Sequence, residues 1–150
     1  MLVYRLPRTP STPRITLWRR LRRLGVVQIV DGVVALPAGA DNRERLEWLA
    51  EDVVQAGGEA TIWLSHPATA AEHRTLAQSM TERIDAEYRE IAEHARAAER
   101  RPRAERRRTL ARLRRELRRV ASREHFPARE AEAARAAVDA LARSTAEAAA

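Results

Sequence analysis

The sequence predicts an α+β fold, with a small sheet domain over residues 1–68 and a helical extension over residues 69–150. Three observations predict it. Short β-rich runs alternate with helical patterns up to Pro67. From Ala70 onward helical periodicity takes over and runs almost unbroken. Glycine or proline stands at nearly every change of pattern.

Leu2 to Leu6 alternates as a short opening strand, and Pro7, Pro10 and Pro13 then forbid regular structure until the first helix. In that helix Leu17, Trp18, Leu21 and Leu24 recur at helical spacing, which places Trp18 in the core. Thr12 is positioned to cap the amino end, and Pro13 sits where a missing N–H costs nothing. Gly25 ends the helix by adopting a left-handed conformation. Val26 to Val30 and Val33 to Leu36 are β-rich runs joined by Asp31-Gly32, a pair that favours a type I′ hairpin turn. Pro37-Ala38-Gly39 breaks the sheet. Asp41 with Glu44 approximates a capping box for a helix carrying Leu46, Leu49 and Val53, which Gly57-Gly58 stops. Ala60 to Leu64 is a fourth strand, closed by Pro67. The order β-α-β-β-α-β is that of a split βαβ, ferredoxin-like unit.

Helices cover only one face of such a sheet. Leu2, Tyr4 and Leu6 alternate onto one side of strand one and Val3 onto the other, while Ile62 and Leu64 fall on one side of strand four and Trp63 on the other. The far face is therefore expected to need a cover, either a second copy of the chain or its own carboxyl half. In that half Leu76, Met80, Ile84, Tyr88, Ile91 and Ala95 form an apolar seam seeking a partner helix. Pro102 marks a turn, and Leu110, Leu113, Leu117 and Val120 follow at helical spacing. His125-Phe126-Pro127 breaks the run before a last Ala-rich helix from about Ala128 to Ala142, after which the final residues are expected to fray. The extension thus reads as a helical hairpin plus a short third helix.

Charge points to function. The chain carries +7 with a sequence pI near 11.2, and it has arginine but no lysine. From Arg101 to Arg123 eleven arginines face two glutamates, Glu105 and Glu116, a local +9 that leaves the remainder near −2. That asymmetry suggests a polyanionic partner such as DNA or RNA. Helical geometry puts Arg108, Arg112, Arg115 and Arg119 in one stripe opposite the leucines, flanked by Arg107, Arg114 and Arg118. The competing reading is a solvated outer face with some arginines paired to Glu82, Glu87, Glu90 or Glu93. Arg19, Arg22 and Arg23 of the first helix are secondary candidates for phosphate contact. Trp48 falls off its helix's apolar stripe and is a candidate interface residue.

Other chemistry finds little support. No cysteine is present, so disulfides and thiolate catalysis are excluded. No run of about 18 apolar residues marks a membrane span, and Arg5 interrupts an amino terminus that does not read as a signal peptide. His66, His73, His94 and His125 lack metal-site spacing, and Ser65-His66 has no third member for nucleophilic catalysis. The Gly57-Gly58 pair follows a helix instead of preceding one, so it cannot cradle phosphate at a helix start. No enzyme activity, cofactor or metal is expected.

The stretches LVYRLP, RITLWRRLRRLGVV, DGVVALP and RERLEWLAEDVVQAGGEA, continuing through DAEYREI and FPAREAEAARAAVDAL, resemble the amino-terminal domain of ChrB-type chromate resistance proteins. The resemblance implies a cytoplasmic protein tied to chromate resistance, in a family known for chromate-responsive transcriptional regulation, with a helix-plus-ferredoxin-like architecture. Family members often carry a second, carboxyl-terminal domain, so a sensing function located there would come from a separate polypeptide. His125 stands where an aromatic is common. The sheet is also similar to small CRISPR-associated nucleases of ferredoxin-like fold. Their metal-binding acid near the end of strand one is absent from Tyr4-Arg5-Leu6. Two functional expectations follow. One is a DNA-binding regulator, or regulator module, possessing the arginine stripe and able to form a homodimer. The other is a protein-interaction module docking a separately encoded sensing domain.

Overall fold

The computed structural model describes residues 1–147. The chain divides into two compact units, Met1–Met80 and a second beginning at Thr81.

The first unit contains β1 (Leu2–Arg5), α1 (Thr12–Leu24), β2 (Val27–Val30), β3 (Val33–Ala35), α2 (Ala40–Gln55) and β4 (Glu59–Ile62). The strands form one antiparallel sheet in the order β2-β3-β1-β4. Each helical crossover therefore passes over one strand. Register opposes Leu2 to both Val34 and Ile62, which sets these side chains on one face. Leu17 and Leu21 of α1 and Leu46, Leu49 and Val53 of α2 close over that face as a single core. Burial contributes about 1.5–3 kcal/mol for each of these side chains.

Several sequence expectations shift by one or two residues, for local reasons. Thr12 is the first helical residue of α1 and Ser11 is the N-cap. The Ser11 backbone is already helical, so its side chain makes no capping bond. Gly25 takes the left-handed cap as expected, with φ 72°. Trp18 is not a core residue, being 41% exposed. It lies about 100° around the helix from Leu17, and the narrower stripe of Leu17, Leu21 and Leu24 meets the core. Gly39 precedes α2, so Asp41 stands inside the first turn, favoured by the helix dipole, and forms no capping box. β4 ends at Ile62, opposite Leu2, and one further backbone bond follows, from the Trp63 N–H to the Met1 carbonyl at 2.8 Å. Leu64 is 89% exposed and joins no apolar face. A capping box does form at Thr69: its Oγ1 accepts from the Glu72 N–H at 3.2 Å, and the Glu72 carboxylate accepts from the Thr69 N–H at 3.0 Å. That T-x-x-E spacing was legible in the sequence.

The hairpin turn is not type I′. That type needs positive φ at both central residues, and here only Gly32 has it, at 76°. The Asp31 carboxylate accepts from Gln28 Nε2 at 3.1 Å, and the ladder is irregular between Gln28 and Val30. The Tyr4 N–H donates to the Gly32 carbonyl at 2.7 Å, which draws the turn against β1. A Cβ on Gly32 would lie 2.5 Å from the Tyr4 carbonyl oxygen, whereas one on Gly57, also at positive φ, meets open space. Gly57→Ala is therefore expected to lower stability by about 1–2 kcal/mol, the cost of left-handed φ. Gly32→Ala should cost clearly more, since backbone must also move. Equal shifts in the denaturation midpoint of the two variants would refute the steric argument.

The second unit is helical. α3 (Ala70–Ala98) begins within the first unit and continues into the second, followed by α4 (Arg103–Ala121) and α5 (Ala131–Glu147). The predicted seam is filled from Ile84 on: Ile84, Tyr88, Ile91 and Ala95 bury against Leu113 and Val120 of α4 and Ala134, Val138 and Leu141 of α5, while Leu76, only partly buried, and Met80 lie outside this core. The last helix is not short. It has 17 residues and supplies six buried ones, against two from α4. It starts at Ala131 instead of Ala128 because the linker's backbone is satisfied by side chains. Glu124 Oε1 accepts from the Ala128 N–H at 3.0 Å, and Asp85 Oδ1 on α3 accepts from the Glu130 N–H at 3.0 Å. α5 also runs on past Ala142 to Glu147, where fraying is expected, and residues 148–150 lie outside the described residues.

Candidate nucleic-acid interface

α4 has two unlike sides. Leu113 and Val120 are buried, and Leu110 and Leu117 are partly buried against the core. On the other side Arg107, Arg108, Arg112, Arg114, Arg115, Arg118 and Arg119 are all exposed. They span about 160° of circumference and about 18 Å of helix length. Glu105 and Glu116 stand at one edge of that arc, not within it.

Ion pairing leaves most of this surface available. Arg112 pairs with Glu116 one turn on, at 2.8 Å. Arg101, before the helix, approaches Glu105 at 3.9 Å. Among the described residues Arg108, Arg115 and Arg119 enter no ion pair, and nor do Arg107, Arg114 and Arg118. Of the glutamates on α3, Glu87 binds Arg123 through two bonds of 2.9 and 2.6 Å. Arg106 turns inward, donating from Nη1 to the Glu99 carbonyl at 3.4 Å. The eleven arginines of the basic segment therefore differ in role, a distinction that composition does not make.

Arg123 provides a check on that distinction. Its side chain and that of Glu87 are both largely shielded from solvent. Arg123→Ala is expected to destabilise the second unit by about 1–3 kcal/mol through the glutamate left behind. It should leave the salt dependence of polyanion binding unchanged. A slope that falls as much as for Arg115→Ala would contradict this assignment.

The remaining candidates lie in the first unit. Arg19, Arg22 and Arg23 are exposed on α1 and enter no ion pair among the described residues, while Arg20 between them pairs with Asp52 of α2. Trp48 is 62% exposed on α2, away from the buried Leu46, Leu49 and Val53. One feature of this unit escaped the sequence reading. A cleft of about 660 Å³ is lined by Tyr4, Arg8, Arg14, Ile15, Trp18 and Asp31, among others. Its residues come from a strand, a loop, a helix and a turn, so no single periodicity reveals it. Among the described residues no group of three or more histidines or carboxylates is placed to hold a metal, and no helix is long and apolar enough to cross a membrane.

Architecture and surface together define an α+β protein with an arginine-faced helix. Over residues 14–101, more than half its length, the chain matches the family described as Protein ChrB, N-terminal, and it belongs to that family. It is similar to Protein ChrB of Cupriavidus metallidurans, 33% identical over 87 residues. That similarity covers 55% of this chain and 26% of the relative, so the chain matches about a quarter of the relative's length. The family match takes in most of α1 and ends before α4, so the arginine face and FPAREAEAARAAVDAL lie beyond it. No solved structure matches the chain.

Proposed function

We propose that this chain is a non-enzymatic, cytoplasmic DNA-binding regulator, or the DNA-binding module of one, acting at a chromate-resistance locus. The observation that carries the reading is the solvent-facing arc of seven arginines on α4, of which, among the described residues, only Arg112 is held by a carboxylate. Membership in the Protein ChrB, N-terminal family supports the link to chromate resistance. Guanidinium groups along a rod of this length can follow a phosphate backbone, releasing condensed counterions as they bind. Such contacts position a protein on DNA without specifying sequence. Arg19, Arg22 and Arg23 would supply further phosphate contacts. On this reading the first unit is a ferredoxin-like scaffold, which its strand order supports. Exposed Trp48 would serve a homodimer or partner surface.

The test is a mobility-shift titration with DNA from upstream of the chain's own gene. A complex is expected at low salt, weakened by alanine at 108, 112, 115 and 119. No complex, or one indifferent to those changes, overturns the reading. A second reading, docking of a separately encoded sensing domain, is favoured by the exposure of Trp48 among Asp41, Glu44 and Glu51. Co-purification separates the two. A stoichiometric protein partner lost on Trp48→Ala, without nucleic acid, supports docking.

A further inference from the structure

We propose that the cleft between β1, the start of α1 and the β2–β3 turn binds a nucleotide unit, with its base against Trp18 and its phosphate between Arg8 and Arg14. The cleft belongs wholly to the first unit and does not involve α4.

Its size and lining select the ligand. At about 660 Å³ it is far larger than a bare tetrahedral anion requires and lies within the range of small-molecule sites. Trp18 and Ile15 are 41% and 48% exposed, an apolar wall left open to solvent. An indole face of this kind stacks on a base of any identity. Three arginines share the cleft, but Arg5 is held by both oxygens of Glu59 at 3.1 Å. Arg8 and Arg14 are exposed and enter no ion pair among the described residues, so they are free to bind an anion. A phosphate is the anion whose geometry and charge suit two guanidinium groups.

Asp31 lines the same cleft and restricts the base. A carboxylate accepts hydrogen bonds and repels anions, so it favours a base carrying an exocyclic amine. Adenine, guanine and cytosine have one, and thymine and uracil do not. Tyr4 sits close enough to feel both Asp31 and Arg14. Burial first, and then Asp31, push its hydroxyl up from the usual range, against the opposing pull of Arg14. It therefore remains a donor at neutral pH. The cleft thus places an apolar plate, a cationic pair and a carboxylate in one small space. A free mononucleotide and one residue of a single strand would both meet it.

The experiment uses the full chain with Trp48→Phe and Trp63→Phe, both positions being exposed, so that Trp18 is the sole tryptophan. Trp18 emission is followed against AMP, a deoxyadenosine decamer and inorganic phosphate. Saturable quenching by AMP or the decamer is expected, with little from phosphate alone. Arg8→Ala with Arg14→Ala should weaken it by about tenfold or more. Tighter binding by the decamer identifies a strand, and equal or tighter binding by AMP identifies a free nucleotide. Repeating the AMP titration with alanine at the four stripe positions of α4 should leave the signal intact, which separates this proposal from the DNA-binding one. No saturable quenching into the millimolar range, or quenching unchanged by the double arginine variant, overturns it.

Discussion

Alanine at Arg108, Arg112, Arg115 and Arg119 together is expected to flatten the log–log salt dependence of DNA binding by about 3–4 units. At about 0.1 M salt, affinity should fall on the order of 10²–10³-fold. The fold should not suffer. All four side chains are exposed, and alanine is the best helix former. Only the Arg112–Glu116 pair is lost, worth about 0.3–0.5 kcal/mol in such a setting. Repulsion between Arg108 and Arg112, and between Arg115 and Arg119, is relieved in exchange. Circular dichroism and melting temperature should therefore stay level while binding collapses. Single substitutions sharpen the claim. Arg112→Ala should cost least, because Glu116 already holds that guanidinium at 2.8 Å. Four equal single effects, or a slope that does not move, would remove α4 from the binding surface.

The second large effect is on stability. Tyr88 is fully buried between α3 and its neighbours, and its hydroxyl donates to Glu124 Oε2 at 2.7 Å. Tyr88→Ala should cost about 3–5 kcal/mol, the range for deleting a buried aromatic. Tyr88→Phe keeps the ring and should cost about 1–2 kcal/mol, because Glu124 loses a donor in a sheltered place. The same contact predicts a pH dependence. Burial first, then the hydrogen bond to Glu124, push the Tyr88 hydroxyl up from 10 to about 12. Between those values the unfolded chain sheds this proton and the folded chain keeps it. The contribution is whole below pH 10 and is lost as pH rises towards about 12. The background is unusually clean. The chain has no lysine or cysteine and two tyrosines, and arginine stays protonated throughout. Thermal unfolding from pH 9 to 12 should therefore decline more steeply in the wild type than in Tyr88→Phe. Parallel curves would mean that Tyr88 holds its proton no better folded than unfolded.

Much of the architecture was legible in advance, because it rests on near neighbours. The order of strands and helices before Pro67, the Gly25 stop and the seam from Ile84 to Ala95 all follow from spacing and from glycine and proline chemistry. The errors have a common origin. Trp18 has the right helical spacing for a core residue, yet the width of the buried stripe depends on the partners that meet α1. Asp31-Gly32 favours one turn locally, yet the hydrogen bond from Tyr4 fixes another arrangement. The start of α5 was misplaced because the N–H of Glu130, just before the helix, is satisfied by Asp85, 45 residues away.

The candidate surfaces divide in the same way. The sequence alone determined the arginine stripe, since residues on one α-helix face are related by a local rotation that no neighbour alters. Only tertiary structure decided that Arg123 belongs to Glu87 and not to that stripe. It likewise decided that Arg8, Arg14, Trp18 and Asp31 share one cleft. Contacts between distant segments depend on how the whole chain closes, and short-range periodicity carries no information about that closure.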